Sequence, residues 1–381
     1  MRVADFDQII SFESLLKSHQ RARAGKQHKR EVIEFEANLS QNLWELHYQL
    51  KYHSYRIGGY RKFMIYDPKE REIQAISYRD RIVQHSLCDN LLVPLLENHL
   101  IDANCACRVG KGTDYAIKLL RASMTRHYRK QGATGYFVKL DISKYFPSID
   151  HQILYQKLSR YPFDGDTWWL LQEVVDSYGN GKGLPMGNQS SQCFALLYLD
   201  RVDRVIKELL RVRHYVRYMD DMILLVPDKA TARSCLERIC GEVQKEKIRL
   251  NPKSRISRAD DGVEFLGWRF KYSQTGAIIQ KVRQQSKKLI FARCRHNRFL
   301  AAHGRIPLDS LHAAIPSYKG HLLRGDGWHL YKKIASQLLL PRFYVLATDS
   351  SSPFTIASPG STAAEAPAPP SWPPPTPFLP H

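Results

Sequence analysis

Two short β-prone runs, Tyr215-Val216-Arg217-Tyr218 and Met222-Ile223-Leu224-Leu225-Val226, flank the adjacent aspartates Asp220 and Asp221. Aromatic and branched residues at this density favour strands, and so short a step between them predicts a hairpin with both carboxylates at its tip. Adjacent like charges are costly unless something positive neutralises them. A hard divalent cation does so through oxygen ligands, and Mg²⁺ characteristically takes one or two carboxylates together with substrate phosphates. An isolated Asp-Asp step is more often a solvated acidic turn, so the meaning of this pair depends on what the remaining sequence brings to it.

The charge balance points to a partner. Net charge is +20 at pH 7, and from Leu346 onward there is no Lys or Arg and only Asp349 and Glu365, so the positive excess belongs to the body of the chain. A field of this sign favours a polyanion, most simply nucleic acid. An anionic membrane is the rival, but no Lys/Arg-rich amphipathic helix with a clean apolar face stands out. No apolar run approaches the roughly 18 residues of a membrane span, and the N-terminus lacks the apolar centre of a signal peptide. A soluble, cytoplasmic protein is expected. With 381 residues and 43% hydrophobic content the chain can bury a sizeable core in two or three subdomains. Cys88, Cys105, Cys107, Cys193, Cys235, Cys240 and Cys294 show no zinc spacing, so reduced thiols are expected and structural zinc is not.

Residues 1–50 read as helical and basic. Lys17, Arg21, Arg23, Lys26, Lys29 and Arg30 follow one another with no acid between, either as a solvated face or as an RNA-backbone contact. Two strands, 61–66 and 72–76, would set Lys69 and Arg71 at or beside a hairpin tip. Helices are expected over 79–96 and 113–130. The run 136–141 alternates so that Phe137, Lys139 and Asp141 share a face. An aspartate ending a hydrophobic strand is poorly explained by packing; it makes sense if this strand lies beside the Asp220-Asp221 hairpin. Ser148 or Asp150 should cap the next helix, and residues 151–182 are helical.

One long helix after Gln192 should bury Ala195, Tyr198, Leu199, Val202, Val205, Ile206 and Leu209. A helix over 230–247 is followed by expected strands at 248–250 and, as one run, 263–270. From Lys281 to Arg298 seven basic residues and no acid, interleaved with Val282, Leu289, Ile290 and Phe291, predict a helix packed on one side and facing a polyanion on the other. More helix is expected over 315–345. Ten of the 20 prolines fall between Pro353 and Pro380, which reads as a disordered, polyproline-like tail.

In order along the chain, these segments resemble the boxes of reverse transcriptases. Lys69-x-Arg71 with Arg79-Asp80-Arg81-Ile82-Val83-Gln84 resembles the fingers segment, and Asp141-Ile142-Ser143-Lys144-Tyr145-Phe146 the first palm aspartate box. Tyr218-Met219-Asp220-Asp221 resembles the Y-x-D-D box, Asn251-Pro252-Lys253-Ser254 the following palm element, and Phe265-Leu266-Gly267-Trp268 the primer grip. The segment Met186-Gly187-Asn188-Gln189-Ser190-Ser191-Gln192 is similar to the diversity-generating retroelement branch, which carries an aliphatic residue and then G-x-x-x-S-Q. Most bacterial relatives, such as group II intron enzymes, carry Q-G-x-x-x-S-P there; here Met186 replaces the leading glutamine.

The resemblance implies an α+β right-hand polymerase: a basic N-terminal extension (1–50), fingers (51–135 with part of 151–182), an antiparallel-sheet palm (136–270), a short helical thumb (271–345) and the tail (346–381). It implies RNA-directed DNA synthesis with two Mg²⁺ ions, Mn²⁺ being a possible substitute. Asp141, Asp220, Asp221 and the Ile142 carbonyl would hold them. Lys69 and Arg71 would grip the triphosphate, and Met186, Gly187 and Gln192 would line the nucleotide site. Phe146 would exclude a ribose 2′-hydroxyl, or else is plain core, and Lys253 is a candidate proton donor or else a surface lysine. Phe265, Leu266, Gly267 and Trp268 would hold the primer end; Lys281, Arg283, Lys287, Lys288 and Arg293 would follow the template–primer backbone.

The implied partners are template RNA, cDNA, deoxynucleoside triphosphates and a small basic accessory protein oligomer, with no membrane, in a bacterial or phage-encoded setting. Error-prone copying of adenines is the activity implied by the branch. The alternatives are an antiphage-defence reverse transcriptase, including one that polymerises without a template, and an inactive RNA-binding scaffold.

Overall fold

The structure, a computed structural model, describes residues 5–66 and 70–339. Lys69 and the proline-rich tail lie outside the described residues. Strands β1 (Arg61–Ile65) and β2 (Arg71–Ala75) pair antiparallel. Strands β3 (Tyr136–Leu140), β4 (His214–Tyr218), β5 (Asp221–Val226) and β6 (Arg255–Arg258) form an antiparallel sheet in the order β4-β5-β3-β6. A third sheet joins β7 (Val263–Phe265), β8 (Trp268–Tyr272) and β9 (Ile278–Val282). Helices occupy most of the remaining described residues, which makes the fold α+β.

The chain divides into two units, one running to Val263 and including Tyr272–Ile278, the other comprising Glu264–Lys271 and the described residues from Ile279. In the first, Met222, Ile223, Leu224, Leu225 and Val226 of β5 are all buried, as are the consecutive Phe137 and Val138 of β3. Burial without alternation means that both faces of the sheet are covered. The Lys229–Lys245 helix packs on β3 and β5, and the Thr113–Gln131 helix on β4 and β5. Each such side chain contributes about 1.5–3 kcal/mol when fully buried. Register is set by the two-residue turn Met219-Asp220 between the paired Tyr218 and Asp221. Leu140 then falls opposite Met222, so the next residue, Asp141, emerges beside Asp221.

The N-terminal basic run is largely neutralised within the fold. Lys17 pairs with Glu13, Arg21 with Asp89, Arg23 with Glu36 and Arg30 with Glu34. Asp150, rather than Ser148, caps the His151–Leu158 helix by accepting from Ile153 N at 3.1 Å.

Several sequence expectations need correction. The long helix after Gln192 is Gln189–Tyr198, interrupted at Leu199, then Asp200–Arg204 and a π-helical turn Val205–Leu209. Leu209 is 59% exposed because the wider π turn rotates it off the buried face. Residues 248–250 contribute only the single bridge Leu250–Ile142, while the strand in this region is β6, which begins five residues further on. The run 263–270 is not one strand. It breaks at Leu266 and Gly267, both with positive φ (47° and 83°), the backbone of a type I′ hairpin turn.

In the second unit Lys281 and Val282 belong to β9, and Arg283 precedes a helix that begins only at Gln284 (Gln284–Ala302). Leu289, expected on the packed face, is 38% exposed, whereas Ile290 and Cys294 are buried. The Leu308–Leu322 and Trp328–Leu338 helices follow. All seven cysteines are free thiols. No helix among the described residues is long and apolar enough to cross a membrane.

Candidate active site

The β4–β5 turn carries Asp220 as its second central residue, and Asp221 opens β5. Its first central residue, Met219, has φ 55°. A left-handed backbone is unfavourable for a side chain of this size and persists only where surrounding structure enforces it. Here the guanidinium of Arg217 donates through Nη1 to the Met219 carbonyl at 2.9 Å.

Asp141 is clamped from the other side. Its amide donates to Ser254 Oγ (3.2 Å) and its carbonyl accepts from Asn251 N (2.7 Å), so the 251–254 turn fixes the backbone and the side chain interacts with the hairpin aspartates. The single bridge Ile142–Leu250 is flanked by the bonds Ser143 N to Arg249 O and Asn251 N to Asp141 O, neither of which engages the Ile142 carbonyl.

The electrostatics follow from this crowding. Burial first, and then Asp141, push the Asp220 carboxyl up to about 6, while Arg71 opposes the shift. Burial also pushes Asp221 up to about 7; Lys139 opposes it, and Asp141 and Asp220 add to it. Lys139, on the β3 face predicted to include Asp141, stands with Nζ 3.6 Å from Asp221 Oδ2. Asp221 Oδ1 is buried without a hydrogen-bond partner. Among the described residues no group of three or more His, Cys, Asp or Glu side chains is arranged to hold a metal ion. The donor chemistry nonetheless fits a hard cation: Asp141 stands by two hairpin carboxyls whose proton affinity is raised by burial and by neighbouring acid, and Asp221 keeps an orphaned buried oxygen.

The family model described as reverse transcriptase (RNA-dependent DNA polymerase) matches residues 66–270, more than half of the chain. The chain belongs to the reverse transcriptase family. No match was found among curated protein sequences. A solved structure of telomerase from Candida albicans, in complex with a TWJ fragment of telomeric RNA, is similar at 12% identity and a TM-score of 0.45. That similarity covers 64% of this chain and 50% of the telomerase chain, so this chain spans about half of that one.

The remaining residues expected of a reverse transcriptase fall as follows. Arg71 begins β2, exposed, and lowers the proton affinity of Asp220, so its charge reaches the aspartates. Phe146 is half-buried, edge-on to Tyr145, and therefore is not sealed core. Met186 is held by both its backbone groups: its amide donates to Gln74 Oε1 at 3.0 Å and its carbonyl accepts from Gln74 N at 3.2 Å. Gly187 takes φ 110°, and a Cβ there would meet Ile73 at 3.1 Å, so β2 lies directly against this segment. Gln192 accepts from Cys107 Sγ. Lys253 is an exposed turn residue whose amide donates to Asn251 Oδ1.

In the second unit Phe265 and Trp268 are buried, with Leu266 and Gly267 at the turn between them. Lys281 and Lys288 are exposed, whereas Arg283, Lys287 and Arg293 are half-buried. Sequence reasoning assigned no role to Lys139, Gln74, Asp203 or Arg217. Only Lys139 gave a signal, through its alternation with Asp141.

Proposed function

We propose that the chain is an RNA-directed DNA polymerase that copies a template RNA into cDNA for retroelement-driven diversification. What supports the reading is the β3–β5 register, which sets Asp141 beside Asp220 and Asp221 at one end of a buried sheet. Asp141, Asp220, Asp221 and the Ile142 carbonyl would hold Mg²⁺, two ions with Mn²⁺ as a substitute. When bound, such ions make a 3′-hydroxyl more nucleophilic and neutralise a departing pyrophosphate.

The chain's own residues do the rest. Arg71 offers a bidentate fork to the triphosphate and Lys69 a point charge. The Phe146 ring would exclude a ribose 2′-hydroxyl, selecting deoxynucleotides. Lys253 is the proposed proton donor to pyrophosphate. Phe265 to Trp268 hold the primer end, and Lys281, Arg283, Lys287, Lys288 and Arg293 follow the template–primer backbone. Residues 51–135 with part of 151–182, 136–270 and 271–345 would serve as fingers, palm and thumb. Template RNA and a small basic accessory oligomer are the expected partners.

Primer extension on an RNA template with deoxynucleotides tests the assignment. Asp220→Ala and Asp221→Ala are each expected to slow incorporation by about 10²–10³-fold or more; equal synthesis by the double variant would refute it. The diversification role rests on Met186. A glutamine could hydrogen-bond the nucleotide sugar, whereas a thioether is only a weak acceptor. Met186→Gln should lower misincorporation opposite adenines by roughly 2–10-fold, the worth of one neutral hydrogen bond. Sequenced cDNA with an unchanged error rate at adenines sinks that part of the reading.

A further inference from the structure

We propose that the buried Asp203–Arg217 pair is a positioning device for the β4–β5 turn, holding Met219 in its left-handed conformation and thereby aiming Asp220 and Asp221 at Asp141. The inference rests on the polymerase reading of those aspartates. Both partners of the pair are fully buried. Arg217 donates to Asp203 through Nε (2.8 and 3.0 Å) and Nη2 (2.6 Å), to the Leu196 carbonyl through Nη2 (3.1 Å), and to the Met219 carbonyl through Nη1 (2.9 Å). Asp203 also accepts from Tyr215 Oη at 2.6 Å. The backbone is pinned as well: Arg217 N donates to Ala103 O and Arg217 O accepts from Cys105 N, both at 2.9 Å. The guanidinium therefore joins two helices to the turn with almost no freedom to slide.

Stability alone does not account for the arrangement. Burial disfavours the charged forms and pushes the Asp203 carboxyl up, and well-packed apolar residues commonly replace a buried ion pair without loss. What apolar residues cannot supply is a donor to the Met219 carbonyl. Lysine keeps the charge but lacks the planar fork that reaches Asp203, Leu196 and Met219 together. Glycine at 219 adopts positive φ at no steric cost. A turn that needs Arg217 to hold methionine in this conformation should need it less with glycine there.

The test uses the full chain. Mn²⁺ affinity is measured by electron paramagnetic resonance titration of metal-free protein, alongside kcat for single-nucleotide extension and template–primer binding. Arg217→Lys is expected to weaken Mn²⁺ binding about tenfold and to lower kcat by about 10²-fold. Template–primer binding should stay within about twofold of wild type, since it does not use this turn. Adding Met219→Gly, with the single Met219→Gly variant as baseline, should restore most of the lost Mn²⁺ affinity. Tyr215→Phe removes one hydrogen bond to Asp203 and should shift Mn²⁺ affinity the same way by about 2–5-fold; it decides the matter if Arg217→Lys does not fold. Unchanged Mn²⁺ affinity in the folded variants, or no restoration by Met219→Gly, overturns the inference. Asp220→Ala separates the two levels. If it keeps both Mn²⁺ affinity and synthesis, the site reading itself fails. If it loses both while Arg217→Lys behaves as wild type, only the positioning role falls.

Discussion

Asp80 and Asp203 lie sealed in the first unit, 1% and 0% exposed, and their oxygens are fully engaged. Asp80 accepts from Tyr55 Oη, Gly58 N and Ser77 Oγ; Asp203 accepts from Tyr215 Oη and from Arg217. Asp220 and Asp221 sit less deeply, yet their environment is harsher. Each is crowded by other carboxylates, Asp221 Oδ1 lacks a partner, and burial with mutual repulsion raises their proton affinity. Acids of the first kind are architecture: donors were folded in with them. Acids of the second kind are only partly met by the fold, through Lys139 and Arg71, and leave an oxygen for something that arrives from outside.

Removing one acid of each kind should break the symmetry most visibly. Asp203→Ala leaves the Arg217 guanidinium buried and unpaired, so chemical unfolding should show a loss of about 3–5 kcal/mol. Asp221→Ala should move the other way in metal-free protein, because it relieves like-charge repulsion, while abolishing DNA synthesis. If Asp221→Ala destabilises the metal-free fold as Asp203→Ala does, the two sets are not different in kind.

A smaller effect appears in the pH dependence. The folded Asp221 carboxyl titrates at about 7, against about 3.9 for an unfolded aspartate. A carboxyl whose folded value is raised contributes stability that is fully present below the unfolded value and is lost as pH rises through the folded one. Asp221→Asn cannot lose it. Metal-free wild type and Asp221→Asn should therefore melt together near pH 4, and the variant should gain as the buffer approaches about pH 8. Mg²⁺ should close the gap at the upper end by binding the native wild type. A gap independent of pH would mean that the carboxylate is not strained by its surroundings.

How far this division was legible in the sequence depends on whether its causes are local. The Asp220-Asp221 hairpin could be read because β-prone runs and a two-residue step lie within one short stretch, and alternation along 136–141 placed Lys139 with Asp141. Strand β6 was missed because Arg255-Ile256-Ser257-Arg258 is a partly exposed edge strand with no apolar alternation to announce it. The β7–β8 turn was hidden because a leucine, Leu266, takes the left-handed conformation normally marked by glycine or asparagine. The Asp203–Arg217 pair left no trace. An arginine within a strand reads as solvent-facing, and its partner, 14 residues earlier in the chain, lies on a helix segment whose own break the helical period concealed.

Lys139 gives the smallest effect and the sharpest sign. Its ammonium, 3.6 Å from Asp221 Oδ2 and partly exposed, is the nearest approach the open cluster makes to the donor-saturated state of Asp203. A partly solvated pair of this kind is worth about 0–1 kcal/mol, so Lys139→Gln should cost metal-free protein no more than that. Its effect on cation binding should be opposite to that of Arg217→Lys. Lys139 repels an incoming divalent ion and competes for the same carboxylate, so its removal should tighten Mn²⁺ binding by roughly 2–5-fold. Weaker binding in Lys139→Gln would instead mean that the ammonium orients Asp221 for the ion, placing Lys139 beside Arg217 as part of the scaffold rather than as a stand-in for the metal.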